Sequence, residues 1–314
     1  ALHRGRDGRA LDDLGGAPVR SRPVATAAYV VLLLAWCWFV GIPKDPAGVL
    51  IWIWLGTVAW DVVRPWRHHR QFWLDWWKPL LVLVLYWLVR GLTDEIGIAP
   101  HYTMPVRVDE WLGSWGGGAE VPTVTLQRAW CGVPCSNDLP PRWWDVLFTT
   151  VYASHFLVAL VLAGMLWRRN RLEWERWLRR YLSLLLAGLT IYVVYPMAPP
   201  WMAARDGYLP EVHRITGRGW SELDLHRQTM VMFGMGNKVA AMPSLHAGIA
   251  FLVAIYLIGR LRSPARWLLL AYPLAMSLAL VYFAEHYVVD TLVGGLLALV
   301  VAVACRRWER VRAA

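Results

Sequence analysis

The last apolar stretch of the chain reads His286-Tyr-Val-Val-Asp-Thr-Leu-Val-Gly-Gly-Leu-Leu-Ala-Leu-Val-Val-Ala-Val-Ala-Cys305. No charged residue interrupts it from Thr291 to Cys305. A bilayer core of about 30 Å needs roughly 20 apolar residues as a helix, so the stretch reads as a membrane span with a histidine and an aspartate at its head. Earlier in the chain the same pattern recurs at Val24–Ile42, Ala47–Val63, Pro79–Ile98, Trp144–Trp167, Tyr181–Pro196, Met242–Ile258 and Ala265–Ala284. The second and fifth of these eight are short. Composition agrees: 57% of residues are hydrophobic and 17% charged, against roughly 45–50% and 25% in soluble domains. A disordered chain, a nucleic-acid-binding tail protein and a disulfide-stapled scaffold are thereby excluded. The expected fold class is an all-α polytopic membrane protein. Its 22 Trp suit the bilayer–water interface, notably in the runs Trp73, Trp76, Trp77, then Trp143, Trp144, then Trp174, Trp177.

The net charge of +10 points to topology rather than to nucleic acid. Most of the 32 Lys and Arg fall in the N-terminal arm (Arg4, Arg6, Arg9, Arg20, Arg22), in Arg64–Lys78, Arg168–Arg180 and Arg260–Arg266, and in the tail from Arg306. Positive-inside counting puts these segments and both termini in the cytoplasm. Two long loops, 99–143 and 197–241, then face outward, and loops of that length are usually functional. The expected organisation is a polar arm (1–22), two accessory helices (23–78), a six-helix core (79–305) and a basic tail (306–314). No cleavable signal peptide is expected, since apolar sequence begins only near Val24. Cys131 and Cys135 on the outward face form either a small disulfide loop or two free thiols; spacing alone does not decide. Cys37 and Cys305 read as apolar fillers in spans.

Ionisable groups in spans are costly and default to function. His286 and Asp290 are four apart, so on a helix they share a face. An aspartate accepting from one imidazole nitrogen fixes the tautomer and leaves the other nitrogen as base or nucleophile; a structural pair joining helices is the plainer alternative. Ala241-Met-Pro-Ser-Leu-His-Ala-Gly248 opens the sixth span. There Pro243 suits a first helical turn, and Ser244 with free amides offers an anion site. His246 lies on the same membrane side as His286. Two histidines, an aspartate and an anion site suggest phosphoryl transfer. A divalent-metal site is the rival chemistry, but no Cys or third nearby His completes a ligand set. No cofactor or metal is expected.

Pro243-Ser-Leu-His246 followed by His286-Tyr-Val-Val-Asp290 resembles the second and third motifs of the type-2 phosphatidic acid phosphatase superfamily. The flavour of both motifs, and of Tyr195-Pro-Met-Ala-Pro-Pro-Trp-Met-Ala-Ala204, is similar to its inositol phosphorylceramide synthase-like branch, including actinobacterial members. The likeness is specific over about 181–300. It implies a six-helix core and metal-independent catalysis through a phosphohistidine. By position, His286 would be the nucleophile, Asp290 its orienting partner, His246 the general acid, and Ser244 a holder of phosphate oxygen. The family's Ser and Arg ahead of the nucleophile are here Ala279 and Leu280, and its Lys-x₆-Arg-Pro motif is absent. Cationic ligands must therefore come from elsewhere: Arg205 and Lys238 are candidates, Arg227 a weaker one. The missing pair leans toward transferase over plain phosphatase.

Among other residues, His155 in the fourth span either helps an acceptor hydroxyl or bonds a Ser or Tyr neighbour. Glu285 is a possible accessory group. Asp61 and Asp75 read as ion-pair partners of Arg64 and Arg70, and Asp94 and Glu95 as a cap or part of the site. His101, His213 and His226 have no implicating spacing. The expected activity is lipid phosphotransfer or dephosphorylation at the outer leaflet of the cell membrane. Membrane lipids are the expected partners, nucleic acid is not, and the oligomeric state is open. The rival from another class is a non-catalytic lipid transporter or flippase, which would show Gly/Pro-broken helices in paired halves; an idle scaffold subunit is a third option.

Overall fold

The computed structural model describes residues 17–43, 45–92, 97–118, 120–132, 135–223 and 238–313. Most of the polar arm, Asp94, Glu95, His226 and Arg227 lie outside the described residues. The architecture is all-α. Helices α1 (Ala17–Phe39), α2 (Pro46–Trp60) and α3 (Trp66–Leu92) precede two short helices, α4 (Thr103–Ser114) and α5 (Pro122–Trp130). Then come α6 (Trp143–Arg169), α7 (Arg171–Val194), the short α8 (Pro200–Arg205), α9 (Leu245–Ile258), α10 (Ala271–Tyr282) and α11 (Val288–Ala313). All eight apolar segments are helical. Six are long and apolar enough to cross a membrane, α10 doing so with the 3-10 turn Pro264–Leu270 before it; α2 and α9 are shorter. The chain is a multi-pass membrane protein.

The fifth span is longer than its apolar stretch, because the basic segment before it continues the helix. Asn170 alone links α6 to α7, and its side chain accepts the Glu173 N–H as an N-cap. The sixth span is shorter than expected because Ser244 caps α9 and leaves Met242 and Pro243 outside it. The two long loops are not bare: they carry α4, α5, α8 and a 3-10 turn at Arg218–Leu223. They are stitched together at Met197, which forms isolated parallel bridges to His101 and Ala240.

α9 and α11 cross at glycines. A Cβ on Gly294 would run into the Ser244 carbonyl oxygen, and one on Gly248 would lie 3.1 Å from the Gly294 carbonyl oxygen. Small residues let two helix backbones approach closely, and here they bring the two histidine-bearing motifs together. Gly294→Ala is expected to force the helices apart at about 1–3 kcal/mol, read as a lowered unfolding midpoint in detergent micelles with activity falling alongside. An unchanged midpoint would show that the crossing dilates freely.

The tryptophans divide differently from a simple interface belt. Trp76, Trp167, Trp174 and Trp177 are buried in the main core with Phe72, and Trp76 stacks on Phe72 at 5.0 Å. Trp77 and Trp143 remain exposed. Asp61 and Asp75 do pair with arginines, but from other helices: Asp61 with Arg168 (3.0 Å) and Arg22 (3.6 Å), Asp75 with Arg171 (3.1 Å). Their partners are set by helix packing, which sequence neighbours do not reveal. Cys131 and Cys135 are joined by a disulfide.

Candidate active site

At the head of α9, Pro243 follows a cis peptide bond and lies before the helix rather than in its first turn. Ser244 is the N-cap. Its hydroxyl accepts the Ala247 N–H (3.3 Å), and its own N–H donates to the Asp290 carbonyl (3.0 Å). The Ser244 side chain is fully buried and is absent from the cavity wall described below. This capped start shortens the span. It also commits amides and the hydroxyl that sequence reasoning had offered to an anion.

His286 lies in the turn before α11, not on the helix. Its Nδ1 is 2.8 Å from the Ala241 carbonyl oxygen and 3.5 Å from Asp290 Oδ2. A carbonyl only accepts, so Nδ1 carries the proton and Nε2 holds the free lone pair. Ala241 is held in turn, since its N–H donates to the Met197 carbonyl (3.2 Å) while Met197 N–H donates to Val239 (2.7 Å). The Tyr195–Ala198 stretch thus fixes the carbonyl that orients the imidazole. Asp290 is fully buried, and its Oδ2 also accepts the Tyr287 N–H (2.8 Å). Its Oδ1 meets no donor among the described residues.

A second carboxylate sits behind this turn. Asp109, on α4, is fully buried. Its Oδ2 accepts the Val288 N–H (2.7 Å) and its Oδ1 the Val289 N–H (3.0 Å). Burial pushes its carboxyl up to about 7, against the pull of the two amides, and the nearby Asp290 charge adds to the rise. Three successive amides, Tyr287 to Val289, are therefore held by two carboxylates, and the head of α11 offers them to no phosphate.

His246 is the second residue of α9. Its ring centroid is 5.7 Å from that of His286 and 4.0 Å from that of His155, with Tyr152 stacked on it at 5.1 Å. His155 faces this cluster instead of bonding a Ser or Tyr neighbour: Ser154, not His155, bonds the Tyr272 hydroxyl, and His155 Nδ1 has no partner among the described residues.

The three imidazoles share a cavity of about 470 Å³. Arg90, Arg214, Lys238 and Glu285 line its polar part; Leu83, Tyr86, Leu160, Leu185 and Ile249 line its apolar part. Arg214 Nε bonds Glu285 Oε1 at 2.5 Å. It is delivered by its neighbour His213, whose N–H and carbonyl are both held by the Gln127 side chain of α5. Lys238, a cationic candidate from the sequence, lies on the cavity wall. Arg205 does not: it is exposed and paired with Asp206. Ala279 and Leu280 are fully buried in apolar packing, and neither is on the cavity wall. Arg90 and Arg214 were missed. Arg90 had a signal, a lone cation inside a predicted span; Arg214 had none, because its placement depends on Gln127. Among the described residues no group of three or more His, Cys, Asp or Glu could hold a metal ion.

A membrane bundle whose converging helices present imidazoles to a cation-walled cavity suits enzymes that act on anionic groups of lipids. The model of the PAP2 superfamily matches residues 140–304. The chain belongs to that superfamily and is an enzyme of its phosphatase and phosphotransferase class. It is 27% identical over 241 residues to the phosphoinositol dihydroceramide synthase of Bacteroides thetaiotaomicron, covering 69% of this chain and 73% of that protein. It is 32% identical over 126 residues to the inositol phosphorylceramide synthase catalytic subunit aur1 of Schizosaccharomyces pombe. That second match covers 38% of this chain and only 29% of the yeast protein. No solved structure matches the chain significantly.

Proposed function

We propose that the protein transfers a phosphorylated headgroup from a membrane phospholipid to a lipid or sugar hydroxyl, through a phosphohistidine on His286, at the outer leaflet of the cell membrane. The observation that carries this reading is the bond from His286 Nδ1 to the Ala241 carbonyl, beside His246 in one cavity. In the first step Nε2 of His286 bonds phosphorus as the bond to the lipid oxygen breaks, and His246 gives that oxygen its proton. In the second step an acceptor hydroxyl loses its proton to His246 and takes the phosphoryl group, breaking the P–N bond. Arg90, Arg214 and Lys238 hold the phosphate oxygens, where charge spreads in the transition state. Asp290 balances the charge that develops on the His286 ring. The names of the two relatives support an inositol phospholipid as donor and a ceramide-type alcohol as acceptor. The excess of basic residues on the loops opposite the site supports its outward orientation.

The test is a panel of phospholipids incubated with purified protein, with and without ceramide or other alcohols, and product masses read out. Transfer products that need the acceptor are expected, with turnover unchanged in EDTA. Loss of turnover in EDTA would overturn the metal-independent scheme, and release of phosphorylated headgroup or inorganic phosphate regardless of acceptor would make the enzyme a hydrolase instead of a transferase. Arg214→Ala and Arg90→Ala should each lower kcat/KM by about 10–100-fold, the worth of a charge-assisted hydrogen bond to phosphate. Arg205→Ala should leave kcat/KM within about twofold, as expected of an exposed pair; a loss equal to that of Arg214→Ala would return Arg205 to the site.

A further inference from the structure

We infer that Asp109 is a positioning residue for His286, acting from an outer loop helix through the backbone of the turn that carries the nucleophile. The inference rests on the reading of His286 as nucleophile. Asp109 is on α4, far from the motifs in sequence, yet its carboxylate is fully buried and spends both oxygens on the Val288 and Val289 amides. These are the first two residues of α11, and His286 is two residues before them. The turn has few other anchors on this side. His286 N–H and Glu285 N–H both reach back to the Leu280 carbonyl (3.3 and 3.1 Å), which ties the turn to α10. Ala284, just upstream, has a left-handed backbone (φ 58°), a conformation that costs a non-glycine residue energy and persists only where surroundings enforce it. The Trp201 N–H donates to its carbonyl at 3.2 Å. Asp109 closes the other end of the turn. α4 also packs on α5 and on α11, with Val106 buried beside Ala284 and Tyr287 in one apolar cluster. The carboxylate therefore works from a fixed platform.

A carboxylate with two backbone N–H donors is a helix cap supplied from a distant segment. Asp109 is not on the cavity wall. Its effect on the reaction would be the aim of the His286 ring. Misplacement of a reacting group by about 1 Å can cost on the order of 100-fold.

The experiment compares Asp109→Asn, Val288→Pro and the double variant in the full chain, with kcat and KM for the same donor and acceptor. Asparagine keeps the size but turns an NH₂ toward an amide that needs an acceptor. Proline at the first helical position fits the helix while removing one of the two donors. If Asp109 acts through these amides, kcat falls about 10–100-fold in Asp109→Asn, KM stays within about twofold, and the two substitutions are strongly non-additive. Asp109→Glu should recover part of kcat. Full kcat in Asp109→Asn, or additive effects in the double variant, overturns the inference. If Asp109→Asn does not fold, Val288→Pro alone decides: a wild-type kcat there is equally fatal. His286→Asn is the parallel control. Turnover surviving in it refutes the nucleophile assignment itself, whereas a dead His286→Asn beside a fully active Asp109→Asn refutes only the role of Asp109.

Discussion

Replacing His286 with alanine is expected to abolish turnover, with a fall of more than about 10⁴-fold in kcat. On the proposed mechanism the imidazole Nε2 bonds phosphorus, and alanine puts no nucleophile in its place. Alanine also leaves the Ala241 carbonyl without its donor, at about 1–3 kcal/mol. Unfolding midpoint and gel-filtration profile in detergent must therefore be read with the rates. The adduct gives a direct check. A P–N bond is labile in acid and stable in alkali, so an alkaline quench during turnover should leave a phosphorylated mass on the peptide holding His286, absent in His286→Ala. A well-folded variant with normal turnover would end the assignment.

His246→Ala should cost about 10²–10⁴ in kcat on natural phospholipids, the range for loss of a general acid. The size of that loss should depend on the leaving group. A diacylglycerol alkoxide is a poor leaving group and needs the proton. An activated donor with a nitrophenol in its place does not, so the first step should recover most of its rate with such a donor. The second step would still lack its base, and the adduct on His286 should accumulate. An equal loss of first-step rate with both donors, and no accumulated adduct, would mean that His246 serves only to hold the cluster. His155, 4.0 Å away by ring centroids, is the nearest group that could substitute, and its simultaneous replacement would remove any residual proton transfer.

Much of this was legible in the chain itself, for physical reasons. The apolar segments announce themselves because hydrocarbon tolerates little charge, and all eight are helices in the structure. The two histidine motifs were visible because imidazoles at the ends of apolar spans are rare. What was not legible are the parts that depend on main-chain atoms or on distant loops. The Ala241 carbonyl carries no side-chain signature, yet it lies closer to His286 Nδ1 than Asp290 does. Ser244 looked like a phosphate ligand because a serine ahead of a helix can either cap it or bind an anion; here it caps. Arg205 and Arg214 look alike in a list of loop cations. Only the contacts of Gln127 and Glu285 separate the one on the cavity wall from the one in solvent.

The cavity is walled by two parts of the chain. Its imidazoles, Arg214, Lys238 and Glu285 all fall within residues 140–304, where the superfamily pattern is recognised, while Leu83, Tyr86, Trp87 and Arg90 of α3 and Pro46 at the start of α2 fall outside it. On the proposed reading, the imidazoles come from the first part, and the second adds Arg90 and an apolar flank suited to a lipid tail. Exchanging the first three helices between relatives, with Arg90 kept, should therefore retune which lipids are accepted while the imidazoles stay in place.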